Sequence, residues 1–345
     1  MDEHTMRIPY PQLQTAIAAA LTKAGLENER ARQEAIIMIE ADLHGTPSHG
    51  IRMLPGLLQG LADGRVKAKP KVTVLRDSGG TCVLNGDNGP GRTIAWQAMQ
   101  LAMTKAENFG IGACLATKTT HWGRAHTYAC RAAQAGYIGI CTTNGMPCMA
   151  GWGATGRIIG NNPIAIGVPR QDAEKPVVLD MAMSRAAVGK VGTWQREGKT
   201  LPDDWGIDAS GKPSRDPQAI LAGAVLPFGG HKGAGLALMV ELLTAALAGG
   251  AFGSEIEMGD RSGLDPESCK LFLALNPLAF SSKENLTARV EEYLAYLQQN
   301  ASTCSPFLWP GERGWRERES NMAIGVPVHR DIISDLQRVG VVLMK

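Results

Sequence analysis

Gly151-Trp152-Gly153-Ala154-Thr155-Gly156 spells out the spacing GxGxxG, and its reading decides the fold. A dinucleotide fingerprint of this kind lies between a strand and a helix, because the helix N-terminus receives the pyrophosphate. Here the context is wrong on both sides. The proline-containing loop Gly145-Met146-Pro147 precedes it, and Gly160-Asn161-Asn162-Pro163 follows where a helix has to start. The chain has no GxxxxGK[ST] phosphate loop either. A parallel sheet of the Rossmann type is therefore not expected. Any nucleotide bound by this chain is held on another scaffold.

Outward from that segment the apolar periods alternate between strand and helix. Residues 11–44 predict two helices broken at Gly25, and a short helix over 54–61 ends at Gly64. Ser78-Gly79-Gly80 joins strands over 72–75 and 82–84 as a hairpin. Helices are expected over 93–106, 127–134 and 285–299 and from Arg316 onward, and strands over 111–116, 137–141, 164–168, 177–179 and 271–275. Residues 233–248 read as an apolar helix buried on most sides, and the polar stretch 198–217 as an excursion from the core. The expected class is α/β, with a mixed central sheet and the helices of both termini packed together.

Composition narrows the function. A length of 345 residues, 44% apolar and 20% charged, describes an ordinary globular protein with a substantial core. A net charge of +2 gives no electrostatic case for nucleic acid or a membrane surface. The seven cysteines are scattered, with no CxxC, so they read as small buried hydrophobes of a reducing cytoplasm, and no metal site is expected.

The densest chemistry is Asp42-Leu43-His44-Gly45-Thr46-Pro47-Ser48-His49-Gly50, where two imidazoles and a hydroxyl share a rigid turn. A histidine held there is a proton donor near neutral pH. His121-Trp122-Gly123-Arg124 opens a helix and suits a phosphate or carboxylate, though a surface turn capped by Thr119 or Thr120 explains it equally well. Asn144, Asn161 and Asn162 follow strands, where amides bind ligands or simply make turns. Asp180 ends a strand, placed for a ribose hydroxyl, for orienting a histidine or for capping a helix. Gly229-Gly230-His231-Lys232-Gly233 heads the apolar helix as an anion cradle.

These pieces, in this order, resemble the type-2 malate/L-lactate dehydrogenase family over nearly the whole chain. The family includes sulfolactate and ureidoglycolate dehydrogenases, diketogulonate reductases and piperideine-2-carboxylate reductases. The resemblance rests on Ser48-His49-Gly50, His121-Trp122-Gly123, Tyr137-Ile138-Gly139-Ile140, Trp152-Gly153, Gly160-Asn161-Asn162-Pro163, Leu179-Asp180-Met181-Ala182, Gly229-Gly230-His231-Lys232-Gly233 and Pro310-Gly311-Glu312. It implies a non-Rossmann, sulfolactate dehydrogenase-like fold that binds NAD or NADP, usually as a tight homodimer. On that basis residues 1–75 and 282–345 form a helical terminal domain for dimerisation. Residues 76–281 then hold cofactor and substrate.

By the same resemblance His49 is the proton donor for reduction of a 2-oxo acid, with Ser48 beside it, and His121 approaches both cofactor and substrate. Asn162, Asp180, Met181, Ala182, His231, Lys232, Gly311, Glu312 and Arg313 match dinucleotide contacts, and Asp42 and His44 fall back to helix-end roles. Many relatives clamp the substrate carboxylate with an arginine four positions after the catalytic histidine. Here Met53 stands there, with Arg52 one step early, so Arg124 is expected to supply the clamp, with Arg52 and Asn144 as further substrate contacts. The piperideine-carboxylate reductases carry a relay aspartate where this chain has Lys190. Glu312 repels a 2′-phosphate while Arg313 and Arg316 attract one, and the balance leans to NAD. The alternatives are a reductase of cyclic 2-imino acids, a serine hydrolase built on Ser48, and a non-catalytic binding protein.

Overall fold

The computed structural model describes residues 5–196, 198–256, 264, 266–302 and 307–343. Its centre is a seven-stranded sheet in the order Thr73–Ser78, Thr81–Asn85, Ile111–Thr119, Ser268–Leu275, Ile138–Thr143, Ile164–Val168, Val177–Met181. Only Thr81–Asn85 and Ile111–Thr119 run parallel; every other neighbouring pair is antiparallel. That is a mixed sheet. The segment 151–156 turns between the short antiparallel strands Met149–Ala150 and Arg157–Ile159, so it opens no helix.

Small residues let helices sit directly on the sheet. A Cβ at Gly112 would meet Ala102 O at 1.9 Å, so the helix Gly91–Phe109 lies against the strand there. Gly139 and Gly167 do the same for the helix Ala125–Gln134, where added Cβ atoms would meet Ala132 Cβ at 2.5 Å and Ala129 O at 2.2 Å. Arg124 caps the N-terminus of that second helix, so this close packing positions it.

The chain ends join. Thr5–Ile8 pairs with Val326–His329, and Leu13, Ile17, Leu21, Met38, Leu54, Val328 and Leu336 form one buried cluster. The tail is thus a helix Glu312–Ile324, a strand and a helix Arg330–Arg338, rather than helix throughout. The helix Lys283–Gln299 stands apart from this cluster, with Arg170 on Glu291 at 2.8 Å.

Two further expectations are corrected. Part of the 198–217 stretch supplies strands Gly206–Ile207 and Pro213–Ser214 to a second, five-stranded sheet, and Leu201 and Ile207 are buried in its core. The helix His231–Glu241, continued by a π turn at Leu242–Ala246, is not buried on most sides. Leu236, Leu238, Met239, Leu242, Leu243 and Leu247 all face out, Leu247 at 64% exposure. Of the cysteines, Cys82, Cys114, Cys130, Cys141 and Cys269 are buried and Cys148 is half-buried; Cys304 lies outside the described residues. No helix among the described residues is long and apolar enough to cross a membrane. No group of three or more His, Cys, Asp or Glu side chains is placed to hold a metal ion among them.

Candidate active site

After the helix Asn28–Leu43 the chain makes two successive 3-10 turns, Pro47–His49 and Ile51–Met53. Asp42 reaches forward across them and accepts the Ile51 N–H at 2.7 Å. Its carboxylate occupies the space beside Gly50, where a Cβ would lie 2.1 Å from Oδ2. Asp42 and Gly50 together hold the backbone on which His49 stands. Burial pushes the Asp42 carboxyl up to about 7, against the opposing effects of the Ile51 N–H and Arg92. That bracing role reaches beyond a helix-end position.

Ser48 Oγ lies 2.8 Å from His49 Nδ1, which leaves Nε2 for a ligand. The His49 ring stacks on His121, centroids 5.8 Å apart. Gly123 donates its N–H to His121 Nδ1 at 3.1 Å, so the neutral His121 ring carries its proton on Nε2. Burial, with Arg124, Arg92 and Arg52 around it, lowers His49 to about 4. Burial chiefly, then His49, Arg92 and Lys270, hold His121 well below the usual imidazole range. The pair is neutral in a field of positive charge, which calls for an anion.

The three arginines are not equivalent. Arg92 is only 3% exposed; it stands 3.5 Å from Glu34, and Nη2 is 3.8 Å from Met53 Sδ. Nothing in the local sequence marked Arg92, because Glu34 and Arg92 meet only through packing of two helices. Arg124 does not stand free as a substrate clamp, since its Nε is 3.6 Å from Asp180 Oδ2. Arg52 is exposed and makes no ion pair among the described residues.

Asp180 opens a second part of the site. A cavity of about 180 Å³ is walled by His44, Thr46, Arg124, His126, Asp180, Gly311 and Arg313, among others. The loop before the helix Glu312–Ile324 is pinned to the sheet edge, with Val178 N–H on Pro310 O at 2.9 Å. His44 packs against His126 (4.9 Å) and Trp315 (4.7 Å). Burial, with Arg124 and Arg318, takes His44 down to about 3, so it is a neutral wall of the cavity. Arg124 joins the two parts, as a wall of the cavity and the strongest charge acting on His49.

The amides of Asn144 and Asn162 are engaged inside the protein. Asn144 accepts from Cys269 N–H at 2.8 Å and donates to Ala251 O and Glu241. Asn162 accepts from Gly145 N–H and donates to Ala237 O and Glu241. Met181 and Ala182 follow Asp180 half-buried. His231 and Lys232 are exposed at their helix start, and His231 lies edge-on to Trp152 in an apolar recess that does not share the Asp180 cavity. Lys190 lies over the rings of Trp205 and Trp194 at 4.9 and 5.7 Å.

A family model described as malate/L-lactate dehydrogenase matches residues 8–337. The chain is 33% identical to a malate dehydrogenase of Pyrococcus horikoshii, over 99% of this chain and 98% of that one. It is 34% identical to a Δ1-pyrroline-2-carboxylate/Δ1-piperideine-2-carboxylate reductase of Pseudomonas putida, over 97% of both. Its fold superposes on the solved sulfolactate dehydrogenase of Methanocaldococcus jannaschii with a TM-score of 0.90 at 32% identity, covering 98% of each chain.

Proposed function

Since the chain belongs to the malate/L-lactate dehydrogenase family, whose members include malate and sulfolactate dehydrogenases, we propose that it interconverts a 2-oxo acid and a 2-hydroxy acid with a nicotinamide dinucleotide, with His49 moving the proton. The hydrolase and binding-protein readings end with that membership. The observation that carries the proposal is the neutral His49–His121 pair, fixed by Ser48 and ringed by Arg52, Arg92 and Arg124.

The residues present fit the cofactor. His44 Nδ1 and His126 Nε2 are buried in the cavity wall without hydrogen-bond partners, as expected where a polar ligand completes the site. Asp180, Gly311 and Arg313 would hold one end of the dinucleotide there, and His121 would face its reactive end. When bound, the nicotinamide supplies the hydride for C2 of the oxo acid.

The chain's own residues do the rest. Arg52, exposed and unengaged, holds the substrate carboxylate. A carboxylate about 5 Å from His49, at an effective dielectric of about 20, favours the imidazolium by about 3 kcal/mol, or roughly 2 pKa units. His49, near 4 in the free protein, is thereby raised to roughly 6, so the anion brings a working fraction of the imidazolium within reach near neutral pH. Nε2 delivers it to the developing alkoxide while Nδ1 stays on Ser48. In the reverse direction the neutral ring is already a base.

Leu236, Leu238, Met239, Leu242, Leu243 and Leu247, together with Trp152 and Phe252, are exposed apolar side chains on or beside one helix, which supports a homodimer contact on that helix rather than on the terminal cluster. Lys190 on its tryptophans leaves no carboxylate at that position to extend the Ser48–His49 pair, which favours oxo acids over cyclic imino acids.

A panel of 2-oxo acids, read by the near-ultraviolet absorbance of NADH and NADPH, tests the proposal. His49→Ala should lower kcat by about 10²–10⁴ while cofactor binding persists. Turnover of no oxo acid with either cofactor would overturn the reading.

A further inference from the structure

Resting on that dinucleotide reading, we infer that the cavity at Asp180 is built for a ribose 2′-phosphate, so that the chain selects NADP(H) over NAD(H). A 2′-hydroxyl is chosen by a carboxylate free to accept its hydrogen bond. Neither Asp180, in the cavity wall, nor Glu312, next in the chain to the lining residues Gly311 and Arg313, is free. Asp180 accepts the His126 N–H at 3.2 Å and faces Arg124 at 3.6 Å. Glu312 is bonded to Arg316 and accepts the Trp309 N–H at 3.2 Å. The acid expected to repel a phosphate is thus neutralised by its own helix.

What is left over is cationic or donor. Arg313 is exposed and has no ion pair among the described residues. It lies in the first turn of the 13-residue helix Glu312–Ile324, which Gly311 starts without a side-chain cap. The N–H groups of Arg313 and Gly314 meet no acceptor among the described residues, and such orphan donors favour an anion.

The second, independent sign is the histidine pair. His44 and His126 are 6% and 4% exposed and line the same cavity. His44 Nδ1 and His126 Nε2 have no partner. A Cβ at Gly314 would come 3.0 Å from His44 Nδ1, so the ring faces the helix start itself. Two neutral imidazoles, an open helix end and Arg313 offer donors from three sides to a tetrahedral dianion. A bare hydroxyl satisfies only one of them. At about 180 Å³ the space takes a phosphorylated ribose and not the whole dinucleotide.

The test is calorimetric binding of 2′,5′-ADP and 5′-AMP to the full-length protein, which needs no turnover. The expected result is 2′,5′-ADP tighter by about tenfold or more, the scale of one charge-assisted contact. Arg313→Ala should bring the two ligands together by weakening 2′,5′-ADP alone, and Arg313→Lys should restore part of the gap. Equal binding, tighter 5′-AMP, or a preference that survives Arg313→Ala overturns the inference and leaves the dinucleotide reading standing. If neither nucleotide binds and neither NADH nor NADPH quenches tryptophan emission, the dinucleotide reading fails and takes this one with it.

Discussion

Replacing Arg52 by methionine separates charge recognition from proton transfer at His49. Arg52 is one of three cations lowering His49 to about 4. Losing it favours the imidazolium, so the His49 pKa moves up. Because the reacting complex carries one proton more than the free enzyme with its neutral His49, kcat/KM for reduction falls as pH rises through the free-enzyme pKa. In Arg52→Met that fall should begin at higher pH, while KM for the oxo acid rises about tenfold or more from loss of the ionic contact. A profile and KM both unchanged would remove Arg52 from the site. At this scale the sequence was informative where chemistry is local. Pro47 and Gly50 mark the turn that presents Ser48 and His49. It was silent on Arg92 and on the Asp180 partner of Arg124, since Glu34 and Asp180 reach these arginines only through tertiary packing.

Glycines in the strands set where the helices lie, and through them where Arg124 stands. Gly167 packs under Ala129, whose carbonyl oxygen would be 2.2 Å from an added Cβ. Gly167→Ala therefore has to lift the helix Ala125–Gln134, and overpacking of this kind costs about 1–3 kcal/mol. A lower urea midpoint is expected, with a loss of activity beyond the unfolded fraction because Arg124 moves with the helix. Gly156→Ala, with nothing within 4 Å of the new methyl, should change neither. Equal effects at the two positions would detach the helix from the site. Strand and helix positions were readable from periodicity, because the elements of the central sheet alternate cleanly. The second sheet was not. Its strands Gly206–Ile207 and Pro213–Ser214 are two residues each, too short to leave a period in a stretch rich in turn residues.

At the scale of the whole molecule, apolar sequence does not distinguish a helix buried in the chain's own core from one whose face is left for a second copy. Residues 233–248 are apolar enough to read as core, yet the fold leaves Leu236, Leu238, Met239, Leu242, Leu243 and Leu247 between 43% and 64% exposed. Completing the burial of six such half-exposed side chains is worth roughly 5–9 kcal/mol per copy. Two copies together outweigh most values of the association cost, about 4–15 kcal/mol. A two-fold contact uses the same face twice and leaves no open end for further growth. The protein should therefore sediment at twice its chain mass of 36.7 kDa. Glutamates at both Leu238 and Leu242 should shift it to a single chain, because four carboxylates would be buried without partners across the two-fold axis. The terminal cluster around Leu13, Leu54 and Val328 lies elsewhere and should keep its fold in that variant, with far-ultraviolet dichroism unchanged. A wild-type protein that sediments as a single chain at micromolar concentration, or a double variant that stays paired, would place the contact on another face.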